Sequence, residues 1–280
     1  MNVLKMEKKL AVISALVEGS SIRATSRMTG INKRTILRLL LSVGQGCERL
    51  LDERMRRLPC RLIQCDEIWT FVGKKQKRVN GKDNHLEVGD QYVFVAIDAE
   101  TKLVPCFRVG KRDITTAYPF MEDLQGRLAH RIQLTTDGLR AYLMAVEDSF
   151  GADVDFAQLI KLYEHNEAER ERYSPSNVVQ VVPIPVSGKP DPWKISTSFV
   201  ERQNLTMRMQ LRRFTRLTNG FSKKLANLRA AVALHFAHYN FVRIHQTLRM
   251  TPAMAAGVTN RLWTPEELLF VLLKQVGPPL

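Results

Sequence analysis

RLIQCDEIWTFVGKK, residues 61–75, is an apolar and aromatic run broken near its middle by two adjacent carboxylates, Asp66 and Glu67. Its composition predicts a β-strand. A carboxylate on a strand that enters a core is costly to bury unless it is paired or holds a metal. Asp66 is therefore a candidate for chemistry. Glu67 points to the opposite face of the strand, and periodicity alone leaves either residue free to be the ligand.

Two further apolar runs, QYVFVAIDA (91–99) and KLVPCFRVG (102–110), follow the polar basic loop KKQKRVNGKDNHLEVGD. With 61–75 they predict an antiparallel meander. Asp113 is placed to cap a helix over ITTAYPFMEDLQGRL, which leads to the strand HRIQLTTDG and a second helix, LRAYLMAVEDSF. DFAQLIKLYE reads as a further strand. This order of strands and helices predicts a mixed sheet flanked by helices, an α/β fold. Residues 164–195 turn charged and then Pro- and Gly-punctuated, and are read as an inserted arm or loop.

Upstream, EKKLAVISALVEGSSIRATSRMTGINKRTILRLLLSVG contains three short amphipathic stretches separated by EGSS and TGINK. Ser20 or Ser21 can cap the second, Gly30 suits the turn, and Asn32 can cap a third helix over 33–42. That is a helix-turn-helix, with Lys33, Arg34 and Arg38 on the third helix as candidate DNA contacts. A generic helical bundle with solvated charges has the same pattern. CERLLDERMRRLP follows as a helical connector ending at Pro59.

The chain of 280 residues carries a formal charge of +14 and a pI near 9.9, which favours a polyanionic partner, double-stranded DNA first among them. Cys47, Cys60, Cys65 and Cys106 show neither CxxC pairing nor zinc spacing, and are read as reduced core residues. No apolar run is long enough to span a membrane. A cytoplasmic, nucleoid-associated protein is expected.

The basic character concentrates in 194–250, where eleven Lys and Arg accompany one acid, Glu201. The region is predicted helical from 196 to 249 with a break at TNG, 218–220. Glu201, Asn204 and Arg208 share one helical face spanning ~10 Å, and Arg212 and Arg213 follow as phosphate contacts. A carboxylate there can hold a cation beside a phosphate while the arginines position the strand. As a surface residue or an ion-pair partner of Arg208 it would serve structure alone. Asp137 ends a strand, where α/β sites lie, although a helix N-cap explains the same position. Asp98, in DAETK, reads as a turn residue. Asp66, Asp137 and Glu201 together suggest metal-assisted phosphoryl transfer with Mg2+ or Mn2+. His245 is read as structural, Trp69 and Phe71 as core, and loop 74–82 as either a phosphate contact or a solvated hairpin tip.

QCDEIWTFVGKK, TTDGLRAY, STSFVERQNLTMRMQLRRFTRLTNGFSKK and ALHFAHYNFVRIHQTLRMTPAMAAGV resemble, in this order, the DDE transposases of bacterial insertion sequences, specifically the insertion-sequence-one (IS1) group. The resemblance covers roughly residues 60–258. It implies a ribonuclease-H-like catalytic fold that cuts at transposon ends and joins the 3′-OH to target DNA. Its acids would be Asp66, Asp137 and Glu201, with Asp66 bridging two metals and the others each holding one. The match favours Asp66 over Glu67. Asn204 and Arg208 would contact DNA or orient the site. The implied organisation is a helix-turn-helix domain and connector over 1–58, a catalytic domain over 59–250 with an insertion at about 151–195, and a tail over 251–280. Many members carry an N-terminal zinc-binding segment that this sequence lacks, so end recognition is expected from the helix-turn-helix or from a segment supplied elsewhere. Handling two ends together implies a homo-oligomeric assembly. A helix-turn-helix regulator without catalysis, and a nuclease that cuts without joining, are the competing functions.

Overall fold

The computed structural model describes residues 4–163, 178–215 and 218–274. Its centre is one six-stranded mixed sheet in the order β3-β2-β1-β4-β5-β6. β1 (Leu62–Val72) pairs antiparallel with β2 (Gly89–Asp98), which pairs antiparallel with β3 (Phe107–Gly110). On its other side β1 runs parallel to β4 (Ile132–Asp137), and β4 parallel to β5 (Val154–Tyr163). The expected meander is present, with β3 shorter than its apolar run.

The sheet does not end at β5. β6 (Val178–Ser187), VVQVVPIPVS, adds antiparallel to β5 in a stretch expected to be irregular. Its valines favour extended backbone, while Pro183 and Pro185, which cannot donate to a ladder, are tolerated because β6 is an edge. The charged part of that arm, 164–177, lies outside the described residues.

Helices α4 (Ile114–Gln125) and α5 (Ala141–Phe150) cover one face. Phe94 of β2 meets Phe120 of α4 and the buried Tyr142 of α5, with ring centroids 5.7 and 5.9 Å away. Asp113 caps α4 as expected, accepting from the Thr115 amide at 3.0 Å.

The N-terminal helices are α1 (Met6–Val17), α2 (Ile22–Thr29) and α3 (Lys33–Arg54). Ser21 caps α2, Gly30 closes it at φ +70, and Asn32 caps α3. α3 does not stop near residue 42 but runs on through the expected connector as one helix of 22 residues. Gly44 and Gly46 look like breakers in the sequence, yet both are sites of close approach. A Cβ on Gly44 would stand 2.4 Å from the Ala230 Cβ, and one on Gly46 would stand 3.0 Å from the Leu272 oxygen. The first contact is with α7 (Leu225–Phe241), the second with α9 (Pro265–Lys274).

α7 is apolar almost all round and buried on nearly every side, as expected of a helix enclosed by other elements. Its Asn240 ties it to the chain between β2 and β3, accepting from the Val104 amide and donating to the Val104 carbonyl. Buried side chains of the N-terminal helices, the sheet and α7 form one continuous core. The long basic helix is interrupted earlier than TNG: α6 spans Ser198–Gln210, a short 3-10 turn covers Arg212–Phe214, and α7 follows. α8 (Pro252–Ala255) lies between α7 and α9. All four cysteines are free and buried. No described helix is long and apolar enough to cross a membrane.

Candidate active site

β4 stops one residue past its last pairing with β1, at Cys65 and Thr136, so Asp66, midway along β1, comes level with Asp137 at the end of β4. Oxygens of Asp66, Glu67 and Asp137 lie within 4.8 Å of one another. Glu67 is the addition to the expected set. Strand alternation sends it to the other face of β1, but Asp137, beyond the last rung, is reached from both.

Glu67 is enclosed, its side chain 1% exposed. It accepts from the Arg112 Nε at 2.5 Å and from the buried Tyr142 hydroxyl at 3.2 Å. Arg112 also reaches the Asp137 Oδ2 with its Nη2 at 3.2 Å, so one guanidinium bridges two of the acids. Burial, and then repulsion from Asp137 and Asp66, push the Glu67 carboxyl up to about 8. Burial and the charge of Asp137 raise Asp66 to about 6, against the lowering effect of hydrogen bonds from the Glu67 amide and Asn204. Asp137 is raised by burial too, opposed by the Leu139 amide and Arg112. That amide donates to the Asp137 Oδ1 at 3.1 Å, so the carboxylate also closes a turn. It is not the cap of α5, which begins at Ala141.

Glu201 enters from α6. Two α6 amides, of Phe199 and Val200, donate to the buried Gln64 side chain on β1 at 2.9 and 3.3 Å. Gln64 is two residues from Asp66, so the helix start is fixed to the strand that carries the first acid. One turn further on, Asn204 donates through Nδ2 to the Asp66 Oδ2 at 2.9 Å. Asn204 is buried, so this hydrogen bond, and not a surface contact, is what its side chain makes among the described residues. Glu201 stands outside the cluster of three and pairs with Lys161 of β5 and with the Thr197 hydroxyl. Its charge is still felt at Asp66, whose carboxyl it raises.

Four carboxylates thus share one end of the sheet with two cations, Arg112 and Lys161. The crowding of partly buried acids against an incomplete set of positive charges, with only oxygen donors, fits a hard divalent cation.

Lys33, Arg34 and Arg38 are exposed on the first turns of α3, Arg212 is exposed after α6, and Arg208 and Arg213 are half-buried. Asp98 is a turn residue, accepting from the Thr101 amide and hydroxyl. The His245 amide donates to the Met250 carbonyl at 2.9 Å, while its ring Nδ1 has no hydrogen-bond partner among the described residues. Lys74 in the basic loop pairs with Asp83. Gln64, Arg112, Tyr142 and Lys161 were missed as members of the site, while Glu67, an open alternative to Asp66 in the sequence, joins it instead. Only Glu67 and the KRD tripeptide 111–113 before α4 carried a visible signal.

No protein-family model matches the chain, and no curated protein matches it. Solved structures similar to it include a Mos1 transposase paired-end complex with the left transposon end, at 14% identity and TM-score 0.19 over 53% of this chain and 58% of that one. A pre-cleavage Mos1 transpososome gives 12% and 0.22 over 56% and 60%. The Mos1 strand transfer complex gives 12% and 0.24 over 84% and 78%. The chain thus spans about three fifths of the length of the first two chains. At these TM-scores the likeness carries no weight for the fold or the site.

Proposed function

We propose that this chain is a DDE-type DNA transposase of a bacterial insertion sequence, with a ribonuclease-H-like catalytic fold, cutting at element ends and joining the 3′-OH to target DNA. The observation that carries the reading is the meeting of Asp66 and Asp137 on adjacent parallel strands, with α6 anchored beside them through Gln64 and Asn204. The strand order from β3 to β5 and the resemblance of the motifs support the same reading. Asp66, Asp137 and Glu201 would hold Mg2+ or Mn2+, with Glu67 beside them. The bound metal supplies positive charge to the attacking and leaving oxygens of an in-line displacement at phosphorus.

The protein's own groups do the rest. Asn204 holds the Asp66 carboxylate in one orientation, Gln64 sets where α6 begins, and Arg112 holds Glu67 and Asp137 together. The cations of α3 and of 212–213 bind phosphates away from the reacting bond, supplying affinity and position.

One observation favours a second reading. Arg112 across Glu67 and Asp137, and Lys161 on Glu201, neutralise part of the cluster without any metal, as a helix-turn-helix regulator would require. Chelator separates the two. The transposase should bind duplex DNA in EDTA and nick supercoiled plasmid only when Mn2+ is restored, with nicking lost in Asp66→Asn, Asp137→Asn and Glu201→Gln while binding persists. Binding without nicking at any Mn2+ concentration would establish the regulator instead.

A further inference from the structure

A cavity of about 560 Å3 opens where the N-terminal ends of α2 and α3 face the connector between α6 and α7. Arg23 and Lys33 line it from the helices, and Arg212, Arg213 and Lys223 from the connector, with no Asp or Glu in the lining. Among the described residues none of these five makes an ion pair. Five unneutralised cations around one enclosed space repel one another unless an anion enters.

Arg213 is the most telling of them. Its Nε donates to the Ser222 hydroxyl at 2.8 Å, and its two Nη groups have no acceptor among the described residues. Burial alone pulls the guanidinium down to about 10, with no carboxylate beside it among the described residues. The amides of Ile22 and Arg23, in the first turn of α2, have no intrahelical acceptor and add a positive helix end to the same wall.

The walls are held to the catalytic sheet. Ser222 bridges to Val72 at the end of β1, and its carbonyl accepts from the Gly73 amide at 2.9 Å. A Cβ on Gly19, in the turn between α1 and α2, would come within 3.3 Å of the Met209 and Gln210 carbonyls, so that turn packs on the end of α6. On the connector, a Cβ on Gly220 would stand 2.6 Å from the Arg212 carbonyl, which brings the two halves of the loop together.

We propose that this cavity binds a backbone phosphate of duplex DNA, clamped between the helix-turn-helix and the connector that follows the Glu201 helix. The proposal deepens the transposase reading and rests on its choice of DNA as partner. Asp66 and Val72 are six residues apart on β1, or ~20 Å. The clamp fixes that spacing because both its walls are fastened to β1 and α6.

The test is the salt dependence of binding to a labelled random-sequence duplex, in chelator, by fluorescence anisotropy. Lys33→Gln with Lys223→Gln removes two exposed cavity charges; Lys5→Gln with Lys8→Gln removes two exposed charges from the start of α1. If the cavity neutralises one phosphate, the cavity pair lowers the slope of log affinity against log salt by up to about 0.9, and the α1 pair leaves it unchanged. Equal slopes in the two pairs would overturn the proposal and leave the transposase reading standing. Absence of DNA binding by the wild-type chain would overturn both. A second arm raises inorganic phosphate at constant ionic strength and follows thermal stability together with DNA binding. Displacement of DNA from the wild-type chain and not from the cavity pair supports the clamp. Stabilisation by phosphate with equal DNA slopes would make it a free-phosphate site and overturn the proposal.

Discussion

Replacing Glu67 by Gln should stabilise the metal-free protein, although it deletes an ion pair. Folding raises the Glu67 carboxyl from its ordinary 4.5 to about 8, so the folded state binds the proton more tightly than the unfolded chain. Stability is then greatest at low pH, falls as pH climbs from about 4.5, and levels off above about 8. At pH 7 the folded protein must keep a proton that the unfolded chain has released. At about 1.4 kcal/mol per pH unit over 2.5 units, that costs about 3 kcal/mol. Gln needs no proton and can still accept from the Tyr142 hydroxyl. Because the folded Glu67 is already mostly protonated at pH 7, the exchange removes no full charge attraction to Arg112, whose pull is contained in the value of about 8. The net expectation at pH 7 in EDTA is a gain of about 3 kcal/mol, or a rise of roughly 5 to 8 °C in Tm. At pH 4.5 the advantage should vanish. The assay is differential scanning calorimetry of both proteins at the two pH values. A Glu67→Gln variant less stable than wild type at pH 7 would refute the argument that these carboxylates are held together against their own repulsion.

Two further changes test the packing and the orientation of the site. Gly44→Ala places a methyl 2.4 Å from the Ala230 Cβ and 2.5 Å from its Cα; backbone must move, so the denaturation midpoint should drop by the equivalent of about 1 to 3 kcal/mol with the m-value unchanged. An unchanged midpoint would mean that α3 and α7 are not in contact there. Asn204→Ala removes the hydrogen bond that steadies the ionised Asp66, worth about 1.5 kcal/mol or more. In EDTA the Asp66 carboxyl, already raised to about 6, should therefore move up by about one unit, as read by NMR titration, and a carboxyl that stays put would assign Asn204 elsewhere.

Much of the sheet was legible in the sequence because its signals are local. β1, β2 and β4 are apolar runs, Asp113 and Asn32 cap where capping chemistry requires, and Gly30 turns where a left-handed residue is needed. What was missed depends on distant neighbours. The third helix was expected to end near residue 42, and only Ala230 and Leu272, far along the chain, explain why Gly44 and Gly46 sit inside a continuous helix. Pro183 and Pro185 argue against a strand until it is known that β6 is an edge. In the site, Asp66, Asp137 and Asn204 could be picked out as chemistry on a strand, a strand end and a helix face. Lys161 gave no such sign, since a surface cation looks the same whether or not a carboxylate waits across the fold. Strand alternation appeared to separate Glu67 from Asp66, because the ending of β4 one rung further on cannot be read from β1.

The central claim is that these carboxylates run phosphoryl transfer that ends in joining. It is tested most directly by incubating the chain with Mn2+, a target plasmid and a labelled duplex from the DNA bordering its coding sequence, pre-nicked to expose a 3′-OH. The account predicts label joined covalently to plasmid by the wild-type chain, and none in EDTA or with Asp66→Asn. Joining that survives loss of Asp66 would contradict it, and so would cleavage without any joined product.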